Sequence, residues 1–173
     1  MIRVVWMIIL LNTVLLGKSF YVMPQEGARA EKALTQTLRS AEGEIVLFLY
    51  TFTNKTLSKA LAQTAKRGVK IILVVDEKNL LGNLGSSQVP NLAKLENVTV
   101  FLAKGDRARQ GYYGLMHHKL AVIDRRVIVH GSANWSNSAF NINHELMFIE
   151  EDERLAQRLL ESLQPLIEGA KRY

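Results

Sequence analysis

Two nearly unbroken apolar runs constrain this chain more than any other feature. Glu44 to Phe52 (EIVLFLYTF) and Val69 to Asp76 (VKIILVVD) have strand length and are rich in β-branched and aromatic residues. Runs of that kind fit strands buried on both faces. Between them, Lys55 to Arg67 repeats Leu57, Ala60, Leu61 and Ala65 at helical spacing, with Asn54 placed to cap the helix and Gly68 to end it. Strand, helix, strand predicts a right-handed parallel crossover. Upstream, Ala28 to Ala41 carries Ala30, Ala33, Leu34, Thr37, Leu38 and Ala41 at three- and four-residue spacing, an amphipathic helix. Downstream, Glu77 to Ser87 reads as a loop and a helix is expected over Asn91 to Leu95. Short strands follow over Val98 to Leu102, His118 to Ile123, Val127 to Val129 and Glu145 to Ile149, and Asp152 caps a closing helix that runs to Gly169. Residues 20–173 are expected to form one α/β domain whose mixed, largely parallel sheet is flanked by helices; a chain of 173 residues has little room for a second core.

The first residues have a different character. Arg3 supplies a positive start, Val4 to Gly17 is apolar apart from Asn12 and Thr13, and Gly17-Lys18-Ser19 offers small residues for cleavage before Phe20. Residues 1–19 therefore read as a signal peptide or signal anchor. As a helix, the apolar run would rise only ~21 Å against ~30 Å of bilayer hydrocarbon, too short for a full span. The chain is expected to be exported, either periplasmic or membrane-anchored facing the periplasm. A net charge of +6 and a pI near 9.7 favour anionic partners, nucleic acid or anionic lipid, without choosing between them. The absence of cysteine excludes disulfides, thiolate catalysis and Cys-ligated zinc.

The chemistry-bearing residues cluster late in the chain. His117 and Lys119 stand two apart on an expected strand, so they project from one face. A group able to attack or carry protons near neutral pH beside a fixed positive charge suits a phosphate. Ser132 and Asn134 follow Gly131 in a loop and can donate hydrogen bonds to phosphate oxygens. Glu145 could accept from a histidine nitrogen. Asp124, at an odd offset from Lys119 and in a turn, is expected to act indirectly, holding the turn or a neighbouring cation. His118, His130 and His144 read as structural. A zinc site built from the four histidines would set Lys119 against the metal and ask His117 and His118 to point the same way from one strand, so no metal and no cofactor are expected.

His-x-Lys-x4-Asp followed by Gly-Ser-x-Asn resembles the HKD motif of the phospholipase D superfamily, with His117, Lys119, Asp124, Gly131, Ser132 and Asn134 all in place. Together with Tyr50-Thr51-Phe52-Thr53, Lys66-Arg67-Gly68 and Val74-Val75-Asp76, the chain is similar to the small bacterial Nuc-type endonucleases, including the NucT-like exported ones. The resemblance implies a phospholipase D-like half-domain in which His117 attacks phosphorus to form a phosphohistidine. A second histidine would protonate the leaving oxygen and then activate water. No second His-x-Lys exists here, so a homodimer with a shared site is implied. Lys119 and Asn134 would hold the phosphate, with Ser132 in support, and Glu145 would orient His117.

On this reading the substrate is DNA, single strands by preference, with RNA as a second candidate and little base specificity. The loop holding Lys104, Arg107, Arg109, Tyr112 and Tyr113, together with Trp135, offers cations for a backbone and rings for bases. Two rival readings stand beside it: a phospholipase acting on membrane lipid, and a catalytically silent DNA-binding or uptake component.

Overall fold

The computed structural model describes residues 17–173. The chain order is β1 (Ser19–Met23), α1 (Gly27–Arg39), β2 (Glu44–Leu49), α2 (Lys55–Lys66), β3 (Lys70–Asp76), α3 (Glu77–Gly82), α4 (Val89–Leu92), β4 (Val98–Ala103), β5 (Lys119–Ile123), β6 (Val127–Gly131), α5 (Asn137–Asn141), β7 (Glu145–Glu151), α6 (Glu153–Glu168) and β8 (Lys171–Arg172). The eight strands form one sheet in the order β1-β7-β6-β5-β2-β3-β4-β8.

The β2-α2-β3 crossover is parallel, as its apolar runs predict, and β3 continues parallel to β4. Every other pairing is antiparallel, so the sheet is mixed but not largely parallel. The reason is local. A parallel step must carry the chain back to the end where the previous strand began. The segment between β4 and β5 contains no helix and stays at the end where β4 stops, so β5 runs back antiparallel to β2. A tight turn then folds β6 onto β5, with Asp124 and Arg125 both at positive φ (49° and 54°) and Arg126 N–H donating to the carbonyl of Ile123 at 3.0 Å.

The period of two along each strand divides the core between two faces. On one, Ile45, Leu47, Leu49, Ile71, Leu73 and Val75 meet Leu34 and Leu38 of α1 and Leu57 and Leu61 of α2. On the other, Val46, Phe48, Val74, Leu120 and Val122 meet α6. That α6 face is only partly sealed, since Ala156 is the one residue of α6 that is fully buried. The expected caps are in place: Asn54 Oδ1 accepts from Leu57 N–H at 3.0 Å and Asp152 Oδ1 from Leu155 N–H at 2.8 Å. β1, α5 and β8 are additional elements, and α3 occupies half of the expected loop because Asp76 caps it. The leader lies outside the described residues except for its last three. Ser19, the residue before the expected cleavage point, is the first of β1 and pairs with Ile149. Among the described residues no helix is long and apolar enough to cross a membrane.

Asp124 fastens the end of the sheet where β5 turns into β6. Its carboxylate accepts from the N–H groups of Glu42 (3.0 Å), Gly43 (2.8 Å) and Glu44 (2.9 Å), locking the α1–β2 connection. Burial alone would raise its pKa, but those three bonds and the charge of Arg126 outweigh it and hold the group below the ordinary aspartate range. A carboxyl depressed on folding stabilises the fold above the unfolded pKa of about 4 and loses that contribution as pH falls through the lower folded value. Asp124→Ala should therefore cost about 2 kcal/mol or more at pH 7. In urea melts, the gap to the natural chain should shrink as pH falls below about 4.

Candidate active site

The topology brings the C-terminal ends of β2, β3, β4 and β6 to one end of the sheet, together with the N-terminal ends of β5 and β7. Lys119 opens β5 opposite Leu49 and is buried. The β2–β5 ladder extends one step further, through Tyr50 N–H to the carbonyl of His118 at 2.9 Å. That extended backbone sets His117 on the same side as Lys119. The lysine ammonium lies 2.8 Å from Nδ1 and 3.1 Å from Nε2 of His117 and donates to the His117 carbonyl oxygen at 2.9 Å. Tyr50 walls the pair, its ring 4.5 Å from the imidazole and 5.3 Å below the ammonium.

An ammonium can only donate, so a hydrogen bond between the two requires the facing ring nitrogen to be unprotonated, and only one of the two nitrogens can accept at a time. The electrostatics agree. Partial burial and the charge of Lys119 lower the His117 pKa, with Asp76 opposing them. Burial also lowers that of Lys119, with Glu145 opposing. The site thus favours an unprotonated nitrogen beside a cation, which is what attack on an anionic phosphodiester requires.

Gly131 closes β6 at φ 152°, and a β-carbon there would overlap the Leu146 carbonyl oxygen. Without a side chain, the next residue reaches β7: Ser132 N–H donates to Leu146 O at 3.0 Å, and Ser132 Oγ accepts from Leu146 N–H at 3.1 Å. Ser132 Oγ also donates to Glu145 Oε2. The Glu145 carboxylate is therefore engaged with Ser132 and with Asn143 Nδ2, at 3.5 Å, and makes no hydrogen bond to His117 within the chain. This corrects the expected orienting contact. Asn134 lies two residues past Ser132, half-buried, and its Oδ1 has no partner among the described residues.

Asp124 is at the opposite end of β5, about 16 Å from Lys119 by strand rise, so any part it has in the chemistry is indirect and it belongs to the fold. Two further expectations change. Trp135 is buried edge-to-face on Phe52 at 5.5 Å, and its carbonyl accepts from Thr53 and Asn54; it is a packing residue with no face for a base. Lys104 is paired with Glu77 at 2.7 Å and stacked over Tyr113, so its charge is locally balanced. The rest of that loop is a small hairpin held by Gly105 N–H to Gly114 O (2.9 Å) and Ala108 N–H to Tyr112 O (2.8 Å). It leaves Tyr112 63% and Tyr113 54% exposed, with Arg107 and Arg109 also at the surface. His118 faces away toward Phe48, and His130 stacks on Phe148 and pairs with Glu150 at 3.1 Å, both in structural surroundings. Residue patterns alone missed Tyr50 and Asp76. Each ends a buried run with a polar group, and only the topology shows that both ends meet at the site.

Residues 34–167 match the family described as cardiolipin synthase, PLD-like domain. The chain belongs to this phospholipase D-like family. Human mitochondrial cardiolipin hydrolase is 31% identical over 143 residues, covering 82% of this chain and 52% of that protein. Rickettsia typhi phospholipase D is 28% identical over 135 residues, covering 78% and 61%. The chain thus spans between half and two-thirds of the length of these PLD-like relatives. Among solved structures, NucT from Helicobacter pylori superposes with a TM-score of 0.87 at 30% identity, covering 91% of this chain and 99% of that one. Nuc from Salmonella typhimurium, a phospholipase D family member, shares the fold with a TM-score of 0.74 at 24% identity, covering 91% and 97%. The family and the fold are therefore those of the phospholipase D superfamily. All of the motif residues lie inside the PLD-like match.

If Lys119 keeps His117 neutral, Lys119→Met should raise the His117 titration midpoint toward the ordinary value near 6.5, read by NMR of the imidazole. An unmoved midpoint would mean that burial alone sets it.

Proposed function

We propose that this chain is an exported, metal-independent endonuclease that hydrolyses DNA phosphodiester bonds with little sequence preference and acts as a homodimer. The observation that carries the reading is the His117 imidazole 2.8 Å from the buried Lys119 ammonium, at a sheet end flanked by a hairpin bearing Tyr112, Tyr113, Arg107 and Arg109. Two exposed rings and two guanidinium groups suit splayed bases and a phosphate backbone, which supports a preference for single strands and admits RNA. The likeness to NucT over nearly the whole of both chains supports the same class. Arg3 and the apolar run that follows support export.

In the proposed reaction a His117 ring nitrogen forms a bond to phosphorus as the bond to the leaving oxygen breaks, and that oxygen takes a proton from a second imidazole. Water then attacks the phosphohistidine, giving its proton to the same second imidazole, and the P–N bond breaks. Lys119 remains protonated throughout and compensates the equatorial oxygens, the charge role that a metal ion fills in other nucleases. The amide nitrogen of Asn134 is the neighbouring donor, while the Ser132 hydroxyl, whose one proton goes to Glu145, supports the site through that carboxylate. The sequence carries one His-x-Lys pair, so on this reading the second imidazole comes from another copy across a twofold axis.

A lipid phosphodiester is the second reading. It is favoured by a trough of about 670 Å³ that opens beside His117 and Lys119 and is lined by Leu120, Ile128, Leu155, Leu159 and Leu163. The two readings separate in one panel run in excess EDTA. Single- and double-stranded oligonucleotides and RNA should be cut, single strands fastest, while cardiolipin and phosphatidylcholine vesicles release no headgroup. His117→Ala should lower the rate by about a thousandfold or more. Headgroup release without nucleic acid cleavage would move the assignment to lipid. Binding without turnover would leave a silent DNA-binding component.

A further inference from the structure

β3 ends in a carboxylate that the proposed reaction leaves unused. Asp76 is 1% exposed, and carboxylates are rarely so buried without a counter-charge. Among the described residues it takes part in no ion pair. Both of its oxygens instead accept main-chain N–H groups. Oδ1 takes Asn79 N–H at 2.8 Å and so caps α3. Oδ2 takes Met116 N–H at 2.9 Å, from a segment 40 residues further along the chain. Met116 is itself buried and is the residue immediately before His117. A helix cap needs one acceptor, which Asn, Ser or Thr would supply. Two N–H groups arriving from two segments need two acceptors, and an amide would turn its own N–H toward one of them.

We infer that Asp76 is a positioning residue for His117: through Met116 N–H its carboxylate fixes the main chain that carries the imidazole. The inference rests on the reading of His117 as nucleophile. Three influences act on the charge of that ring: burial and Lys119 disfavour its cationic form, and Asp76 favours it. Tyr50 packs against the ring, and Glu145 acts on Lys119 instead. As the ring nitrogen bonds to phosphorus, the imidazole gains positive charge, and a preorganised anion held one residue away through Met116 N–H lowers the energy of that state.

Asp76→Asn keeps the size and one acceptor but removes the charge. In NMR titrations of the full chain without substrate, its His117 midpoint should fall. Asp152→Ala, which removes the α6 cap at the far end of the sheet, should leave the midpoint in place. On an oligonucleotide, Asp76→Asn should lower kcat by about tenfold with little change in KM, because the charge acts as the bond forms and not on binding. The acid limb of the pH profile should move down with the midpoint. A folded Asp76→Asn protein with an unmoved midpoint overturns the inference and leaves Asp76 a helix cap only. If the amide variant does not fold, Asp76→Ser keeps the cap and is read the same way, with an unmoved midpoint again overturning the inference. The midpoint needs no substrate, so a chain that cleaves lipid would leave this result standing. Full turnover by His117→Ala would sink the reading of the site while leaving the midpoint shift intact.

Discussion

The ammonium of Lys119, held under the sheet end against an imidazole, is the interaction on which the rest depends. Burying a cation costs several kcal/mol unless it is hydrogen-bonded. Here the His117 carbonyl and ring accept from it, and the Tyr50 ring lies beneath it. Partial burial of the imidazole and the charge of Lys119 lower its pKa. A lysine free in solvent would neither repel a proton from His117 so effectively nor remain aligned with a phosphate. The fold supplies this confinement by starting β5 with Lys119 inside the ladder and leaving His117 one step outside it.

The two ends of the sheet divide the labour. At the far end Asp124 ties three backbone amides and fixes where β5 turns, which sets the register that carries Lys119 opposite Leu49. At the near end short-range devices place the remaining groups. Gly131 lets β6 close onto β7 so that Ser132 meets both Leu146 and Glu145. The carbonyl of Trp135 ties the loop after β6 to the loop after β2. The aspartate of the sequence motif thus serves chemistry only through geometry, from about 16 Å away.

What was legible in the residues was whatever is local or periodic. β2 and β3 stand out because both of their faces are buried, and α2 and α6 because Asn54 and Asp152 cap apolar stripes. His117 and Lys119 share a side because strand parity is a local property. The illegible parts were decided by distant partners. β1 pairs with β7, more than a hundred residues away, and its short mixed run has no pattern that says so. The antiparallel majority follows from where the chain re-enters after β4, which no window of residues encodes. Glu145 could have met a histidine or a serine on residue type alone, and the close approach permitted by Gly131 chose the serine. Trp135 has the ring to stack on a base, but it is buried in an edge-to-face pair with Phe52.

The central claim is that an unprotonated His117 nitrogen, poised by Lys119, bonds to phosphorus before water does. The stereochemistry at phosphorus tests it most directly, using a phosphodiester made chiral with sulfur and oxygen isotopes. Two successive in-line displacements, through the imidazole and then water, predict net retention of configuration. Net inversion would mean that water attacks in one step, and would contradict the account.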